Sequence, residues 1–360
     1  MIAMTPPKHF PIGLQLGPDS VTLAQFRKRS GQLELSAFAH AELPSRQIHL
    51  ETDRDQALVE LIRQSLRDGN FKGRNVLSCL GMEDLFVQNV RLPKLSEEET
   101  EKVLHWEAVE RLPYPIDEAE TRHWLAAEVR QGDDIKQELI LMSCRKSVID
   151  RHIQIVEGAG LTPVGIDVEP CAILRGLAPC ESSTSAKRHV CLNLGEQSTS
   201  IIIESNGRIQ FLKHIDGGGA ELNRAVADHL QLEISEAAKL REQVKNASTL
   251  DSTNEIHCCV IDAIRESLED ICDEIERCLR YDKVTFREQR PEEILVTGPE
   301  TSPWLLEFIS QRLGILCRTG DTLDHLNLDS SDVRLPSQPW QWMTAIGLSM
   351  KNALSPQEKE

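Results

Sequence analysis

The alternation of apolar and polar positions divides the start of the chain into short strands followed by an amphipathic helix. Residues 12–16, 21–26 and 33–40 have the period of two expected of half-buried strands, and turns rich in glycine, proline and serine separate them. In residues 55–66, the apolar side chains recur three and four positions apart, which predicts a helix. The opening unit is therefore strand, turn, strand, turn, strand, helix.

The next hundred residues mix strands with helices. Ser96 followed by Glu99 has the spacing of a capping box, which predicts a helix that runs to about residue 111 and is broken by Pro113 and Pro115. Strands are predicted at 74–80, 85–92, 121–129, 137–143 and 162–168. Further helices are predicted at 146–158 and 169–177.

After a polar segment at 179–188, the opening pattern returns. Strands are predicted at 190–194, 199–204 and 209–214, and the Asn206-Gly207 pair between the last two is a strong hairpin signal. Glycines 217–219 then precede a helix at 220–230. We read the polar segment as a linker between two α/β halves. A cleft between such halves is the usual place for a ligand.

The remainder of the chain is predominantly helical. Helices are predicted at 235–245, 256–286, 303–312 and 340–353, with strands at 293–297 and 315–317. The last helix carries Trp340, Trp342 and Met343. We expect it to be the last packed helix of the second half and not a membrane anchor.

Composition and charge narrow the function classes. The 360 residues are enough for about two to three domains. A net charge of −17 argues against nucleic acid or an anionic lipid surface as the main target. No apolar run approaches the ~18–20 residues of a membrane span, and no signal peptide is recognisable, so a cytoplasmic protein is expected. The ten cysteines include no CxxC pair, which favours reduced thiols.

Short stretches in a fixed order resemble one family, the type IV pilus assembly protein PilM, within the superfamily of actin, Hsp70 and sugar kinases. The stretches that carry the resemblance are IGLQLG at 12–17, RLPKLSEEE at 91–99, WEA at 106–108, ERLPYP at 110–115, GAGLTP at 158–163, IDVEP at 166–170, LG at 194–195 with ST at 198–199, GG at 217–218 with Leu222, and AIGL at 345–348.

The resemblance implies an α/β fold, namely a duplicated actin-like (ribonuclease H-like) two-domain fold with an inserted α+β subdomain. The first domain would span residues 12–188, with the FtsA- and PilM-type insertion at about 76–155. The second would span 189–353, with a helical subdomain at about 226–286.

The resemblance also implies a nucleotide site, and this sequence departs from its pattern. The superfamily places an aspartate in each of two phosphate strands to hold Mg²⁺, whereas this chain has Gln15 and Asn193 there. An amide is neutral and cannot offset the charge of the metal. The residues of this degenerate cleft would be Gly13, Gln15, Gly17, Asn193, Gly195, Gly217, Gly218 and Gly298.

Other positions of the three nucleotide loops depart as well. Pro18, Asp19, Glu196, Pro299 and Glu300 remove a backbone donor or add an acid where phosphates or adenine would lie. Glycines 217–219 before a helix could cradle an anion, and a simple backbone turn explains them equally well. No catalytic residue, metal ligand or cofactor is expected, with weak binding of ATP and magnesium as the exception.

The resemblance further implies a protein partner. PilM proteins bind the N-terminal cytoplasmic tail of the inner-membrane protein PilN in a groove beside the inserted subdomain. The corresponding candidates are Trp106, Leu112, Pro113 and Tyr114, and packing in the core is an equally good explanation of the two aromatic residues. The function expected is a non-catalytic adaptor recruited to the inner membrane. The alternatives are an active actin-like ATPase or a filament-forming actin homologue.

Overall fold

The computed structural model describes residues 8–18, 20–29, 32–43, 51–131, 134–181, 188–247, 249–287, 289–320 and 338–351. The predicted turns at 19, 30–31 and 132–133 lie outside these ranges, as do most of the polar segments at 179–188 and 320–338.

The described strands and helices follow the predicted order closely. The strands are β1 Lys8–His9, β2 Ile12–Leu16, β3 Ser20–Arg29, β4 Gln32–Glu42, β5 Asn75–Leu80, β6 Phe86–Pro93, β7 Ala119–Gln131, β8 Asp134–Arg145, β9 Thr162–Val168, β10 Arg188–Leu194, β11 Ser198–Ser205, β12 Arg208–Asp216, β13 Glu293–Thr297 and β14 Leu316–Thr319. The α-helices are α1 Glu51–Asp68, α2 Glu97–Arg111, α3 Lys146–Gly158, α4 Glu169–Glu181, α5 Gly219–Leu230, α6 Ile234–Lys245, α7 Glu255–Phe286, α8 Pro303–Leu313 and α9 Met343–Ser349.

Three of these elements differ from the sequence-based prediction, apart from shifts of a few residues at the ends of others. Strand β1 was not predicted. Helix α4 continues to Glu181, so the first part of the predicted linker is helical. The final helix is shorter than predicted, because residues 339–342 form a 3-10 turn before α9 begins. The capping box of α2 is present, with the Ser96 side chain and the Glu99 side chain each accepting from the other residue's backbone amide.

Contacts within the chain divide it into two compact units. The first unit comprises Met1–Asp84, Lys146–Ser185 and Asp321–Glu360, and the second comprises Leu85–Arg145 and Ala186–Gly320. Among the described residues, no helix has the length and apolar content needed to cross a bilayer.

Each unit contains a sheet with the same strand order. In the first unit β4, β3, β2, β5 and β9 lie side by side, and β1 also pairs with β3. In the second unit the order is β12, β11, β10, β13 and β14. In both sheets the first three strands pair antiparallel, and the last two extend the sheet in parallel. The duplication predicted from the repeated pattern is therefore confirmed.

Helices cover the sheets and complete the two cores. Leu58 and Ile62 of α1 and Ile155 and Val156 of α3 are buried on the first sheet. The core of the second unit is formed by the sheet together with α5, α6, α7 and α8.

The last helix packs in the first unit, which corrects the prediction that it would close the second. Helix α9 contacts β2 and α4, and Leu348 is buried with Leu77, Cys79 and Ala172. The physical reason is close backbone approach, since a Cβ at Gly13 of β2 would overlap the carbonyl oxygen of Ala345. The apolar spacing of α9 predicted a packed face correctly, although it did not specify which sheet that face would cover.

The segment Leu85–Arg145 forms a three-stranded antiparallel sheet in the order β6, β8, β7, with α2 packed against it. The predicted insertion at 76–155 was wider, but β5 pairs with β2 and α3 packs on the first core, so both belong to the first sheet layer. By its contacts this segment groups with the second unit. The Asn89 amide and the Trp124 indole donate to β12 carbonyls at 3.0 and 3.3 Å.

Candidate functional site

Gln15 and Asn193 occupy equivalent positions in the two sheets. Each is the next-to-last residue of the central strand, and each stands two residues before a glycine turn. Asn193 is buried and Gln15 is half-buried. The structure thus places both amides where the duplicated pattern predicts them.

In the first unit, Gln15 contacts an acid that the sequence interpretation did not select. The Gln15 side-chain amide donates to Oε1 of Glu169 at 3.2 Å. Glu169 is a buried acid that begins α4 directly after β9. An acid that follows a strand at the carboxyl edge of a parallel sheet is a signal that could have identified it, because ligands of open α/β sheets bind at that edge.

Two more acids follow β5 at the same edge of the first sheet. Glu83 and Asp84 are exposed, and partial desolvation by neighbouring atoms raises the pKa of each, while nearby Arg151 partly opposes the shift of Asp84. When ionised, these carboxylates repel an anionic ligand.

The predicted glycines of the first unit have structural roles. Gly13 allows α9 to approach β2, as described above. Gly17 closes the turn after β2 by donating its amide to the Ser20 carbonyl at 2.8 Å. The Pro18 carbonyl accepts from Arg54, and Asp19 lies outside the described residues.

In the second unit, five predicted residues converge at the ends of β10 and β13 and at the start of α5. Gly298 has a left-handed φ of 102°, and a Cβ there would overlap the Leu194 carbonyl and the Asn193 side chain. A Cβ at Gly218 would overlap the carbonyls of Gly195 and Glu196. The backbones in this glycine cluster, which comprises Asn193, Gly195, Gly217, Gly218 and Gly298, are therefore in direct contact.

The backbone amides at the start of α5 already have protein acceptors. Gly219 donates to the Gly195 carbonyl at 3.1 Å, and Ala220 donates to the Glu196 carbonyl at 2.7 Å. The Glu221 amide bonds the Gly218 carbonyl at 3.1 Å. A helix N-terminus binds an anion through amides without other partners. The turn explanation of glycines 217–219 is therefore favoured over the anion cradle.

A buried ion network lies against this glycine cluster. The carboxylate of Glu300 packs on Gly219 and pairs with the Arg241 guanidinium, and both side chains are 8% exposed. Arg241 also donates to Asn223 Oδ1 at 2.5 Å, and Lys245 lies 3.9 Å from Glu300. The sequence interpretation missed Arg241, although its place on the α6 stripe between buried Ala237 and Val244 was a detectable signal.

The space behind the glycine cluster is small and apolar. A cavity of about 10 Å³ lies among side chains that include Leu194, Leu222, Ile271 and Leu305. That volume is about enough for one water molecule. Within the described part of the chain, no group of three or more His, Cys, Asp or Glu side chains could hold a metal ion.

Three features of the second unit bear on whether it could hold a magnesium-bound polyphosphate. The amides that would face phosphate are bonded to carbonyls, and the buried cation beside them is bonded to a carboxylate. Asn193 supplies no negative charge to a metal.

Of the four partner candidates in Leu85–Arg145, Trp106 and Pro113 are exposed, whereas Leu112 and Tyr114 are partly buried. Trp106 is 66% exposed on the outer face of α2, beside exposed Val109. Leu112 packs partly against the core of this segment, and Pro113 is exposed. The Tyr114 hydroxyl donates to Ser143 at 3.2 Å, and the Arg145 guanidinium lies 4.5 Å from its ring. Packing thus explains Tyr114 but not Trp106.

A groove of about 330 Å³ lies near the start of α2, on the face of β7 and β8. Its lining includes Leu95, Glu97, His123, Trp124 and Leu125. The sequence interpretation did not select these residues, because they come from elements distant along the chain.

The match of the sequence to a family model decides the family. The model described as type IV pilus assembly protein PilM matches residues 13–353. The chain belongs to the PilM family. The resemblance drawn from scattered motifs is thereby confirmed.

Solved structures show the same fold. The chain is similar to a structure described as the PilM-PilN type IV pilus biogenesis complex, with a TM-score of 0.75, 21% identity, and coverage of 96% of this chain and 99% of the other. It is also similar to the ethanolamine utilization protein EutJ from Carboxydothermus hydrogenoformans, with a TM-score of 0.55, 14% identity, and coverage of 97% and 92%. The predicted actin-like α/β fold is therefore confirmed for this PilM family member.

Proposed function

We propose that this PilM family member is a non-catalytic cytoplasmic adaptor of a type IV pilus or related envelope assembly. It binds the N-terminal cytoplasmic tail of an inner-membrane protein of the PilN type, which recruits it to the membrane. Its nucleotide site is degenerate, and no cofactor takes part in its function.

The non-catalytic part of the proposal rests on the glycine cluster of the second unit, where backbone amides that open α5 already donate to carbonyls of the protein. A site for polyphosphate must leave donors and cations free to face the ligand. Here the amides of Gly219 and Ala220 and the guanidinium of Arg241 are bonded within the protein. A polyphosphate would have to displace those bonds, and the neutral amide of Asn193 supplies no negative charge to hold its metal ion.

The family match and the full-length similarity to a PilM-PilN complex support the PilN-type partner. The exposure of Trp106 beside Val109 supports α2 as the contact surface, since a large aromatic side chain left in solvent is typical of an interface anchor. Tyr114 and Arg145 then act as supports for the end of α2.

A calorimetric titration with Mg-ATP tests the non-catalytic part. We expect no heat of binding at micromolar protein and no phosphate release. Micromolar binding with sustained phosphate release would support an active ATPase instead. Nucleotide-dependent pelleting in a sedimentation assay would support a filament.

A titration with the N-terminal tail peptide of the PilN-type protein from the same organism tests the adaptor part. We expect Trp106→Ala to weaken binding at least ~10-fold, because interface anchors of this kind dominate binding energy. Val164→Ser, an exposed apolar site on β9, is the matched control and should leave affinity unchanged. If Leu125→Ser weakens binding and Trp106→Ala does not, the tail lies in the groove instead of on α2.

A further inference from the structure

The charge of α7 reverses along its length. Residues 255–276 contain eight acidic residues and one arginine, whereas residues 277–287 contain four basic residues and one acidic residue. That acidic residue, Asp282, is buried and paired with Arg188. The solvent-facing part of the helix end is therefore basic, in a chain whose net charge is −17.

These basic side chains share one exposed face with two apolar side chains. Spacings of three, four and seven place residues on one side of a helix. We call this set the basic face, and its members are Arg277, Arg280, Tyr281, Lys283, Val284 and Arg287.

Most of the charge on the basic face is not neutralised by the residues that the structure describes. Arg277 pairs with Glu274 at 3.0 Å. Within the described residues, Arg280, Lys283 and Arg287 are exposed and have no acidic partner. Like charges at these spacings repel one another and weaken the helix slightly.

The apolar members are exposed but held in place. Val284 is 79% exposed and Tyr281 is 39% exposed. The Tyr281 ring packs on Phe211 with centroids 5.2 Å apart, and its hydroxyl donates to the buried Glu138 carboxylate at 3.4 Å. A rigid aromatic beside an exposed valine is a preformed contact for an apolar side chain.

Helix energetics alone do not explain the basic face. Cations near a helix C-terminus are favourable, but the effect is confined to the last turn and does not extend to Arg280. Arg287 caps α7 with a left-handed φ of 57°, a conformation in which glycine avoids a penalty of about 1–2 kcal/mol. Nor does the dipole account for an exposed valine.

We propose that the basic face is a docking surface for an acidic segment of a partner protein that carries at least one apolar side chain. The acids pair with Arg280, Lys283 and Arg287, and the apolar side chain lies on Tyr281 and Val284. This surface is distinct from α2 and from the groove, so the proposal does not depend on the PilN-type partner.

Charge complementarity selects this occupant. The cations without an acidic partner favour an acidic ligand. The surface that Tyr281 and Val284 expose has room for one or two apolar side chains. An anionic bilayer presents acidic charge too, but it would also face the remaining surface of a chain with net charge −17, which it repels.

Fluorescence polarisation with a labelled acidic peptide, Asp-Glu-Glu-Leu-Asp-Glu-Phe-Glu-Asp, tests the proposal on the full-length protein. We expect salt-sensitive binding that the double variant Arg280→Glu/Arg287→Glu weakens at least ~30-fold. Val284→Ser should weaken binding about 3-fold. Arg265→Glu, at a 57% exposed arginine on the acidic part of the same helix, is the matched control and should change affinity less than about 2-fold. Thermal unfolding checks that each variant is folded.

Four outcomes would overturn the proposal. The first is that the double variant binds the peptide as tightly as the wild-type protein does, or that the wild-type protein binds equally well a peptide with serine in place of leucine and phenylalanine. The second is co-sedimentation with vesicles of phosphatidylglycerol and phosphatidylcholine that the double variant loses, in the absence of peptide binding. The third is self-association that the double variant abolishes in sedimentation velocity. The fourth is displacement of the labelled peptide by the PilN-type tail, which would assign the basic face to that partner.

Discussion

Arg241 and Glu300 form an ion pair in which both side chains are buried. Position 300 was identified from the sequence as an acid in the wrong place for a nucleotide loop. The structure adds that the Glu300 carboxylate pairs with Arg241 and lies near Lys245. Both basic residues belong to α6. Loop chemistry was readable from the sequence, while the identity of the partner depended on how α6 packs.

Removing one member of this pair should be more damaging than removing both. Arg241→Met leaves the Glu300 carboxylate buried with only Lys245 nearby, so we expect a loss of about 3 kcal/mol in the free energy of unfolding. The double variant Arg241→Met/Glu300→Leu should recover part of that loss. Urea denaturation measures both. Arg265→Ala, which removes an exposed pair with Asp262, is the control and should change stability by less than about 1 kcal/mol.

His152 should make stability depend on pH. Its Nε2 lies 2.8 Å from the Ser78 hydroxyl, and burial lowers the pKa of His152 from 6.5 to about 4. The unfolded chain therefore takes up a proton at a higher pH than the folded chain. Stability should be fully present above pH 6.5 and fall by at most about 3 kcal/mol as pH drops towards 4.

The His152→Gln variant should remove most of this pH dependence, because glutamine does not titrate. Urea denaturation between pH 4 and 7 measures the slope. His105→Gln, at an exposed position on α2, is the control and should keep the wild-type slope. An unchanged slope in His152→Gln would contradict the assignment.

At the scale of elements, the close packing of α9 depends on two glycines, which have no side chain. A Cβ at Gly13 would overlap Ala345, and a Cβ at Gly347 would overlap the carbonyl oxygen of Ala172 in α4. The sequence showed these glycines only as parts of short motifs. It could not show that one of them faces a helix more than 300 residues away.

Gly13→Ala should therefore destabilise the first unit by about 2 kcal/mol or more, because a backbone carbonyl cannot move aside as a side chain can. Gly165→Ala in β9 of the same sheet is the matched control, since its Cβ would meet only the tip of Leu77 at 3.1 Å. Urea midpoints of the two variants provide the comparison. Equal midpoints would show that α9 adjusts freely.

At the scale of the molecule, the segment Leu85–Arg145 belongs to the second unit by its contacts. Arg91 and Tyr281 both bind the Glu138 carboxylate, which joins the inserted sheet to the end of α7. The position of this segment along the chain suggested an insertion in the first domain. That position does not determine which unit the insertion packs against.

Arg91→Ala should therefore loosen two segments that are distant in sequence. Glu138 would stay buried without its cation, so hydrogen exchange should accelerate in β8 and also at the end of α7. Arg122→Ala, which removes an exposed pair with Glu120 on the same sheet, should leave exchange at α7 unchanged. If hydrogen exchange accelerated in β8 alone, the inference that Glu138 links the inserted sheet to the end of α7 would be wrong.

The sequence by itself determined the repeated succession of strands and helices in the two halves, the position of most helices and strands, the PilM family, and the paired replacement of aspartate by Gln15 and Asn193. These features depend on local periodicity, turn residues and short motifs, which act between neighbours along the chain. Only the tertiary structure decided the unit that α9 completes, the acceptors of the α5 amides, the Arg241–Glu300 pair and the basic face of α7. Each of these features depends on which distant parts of the backbone come together and on which charged side chains remain exposed after folding. The pattern of residues along the chain does not contain that information.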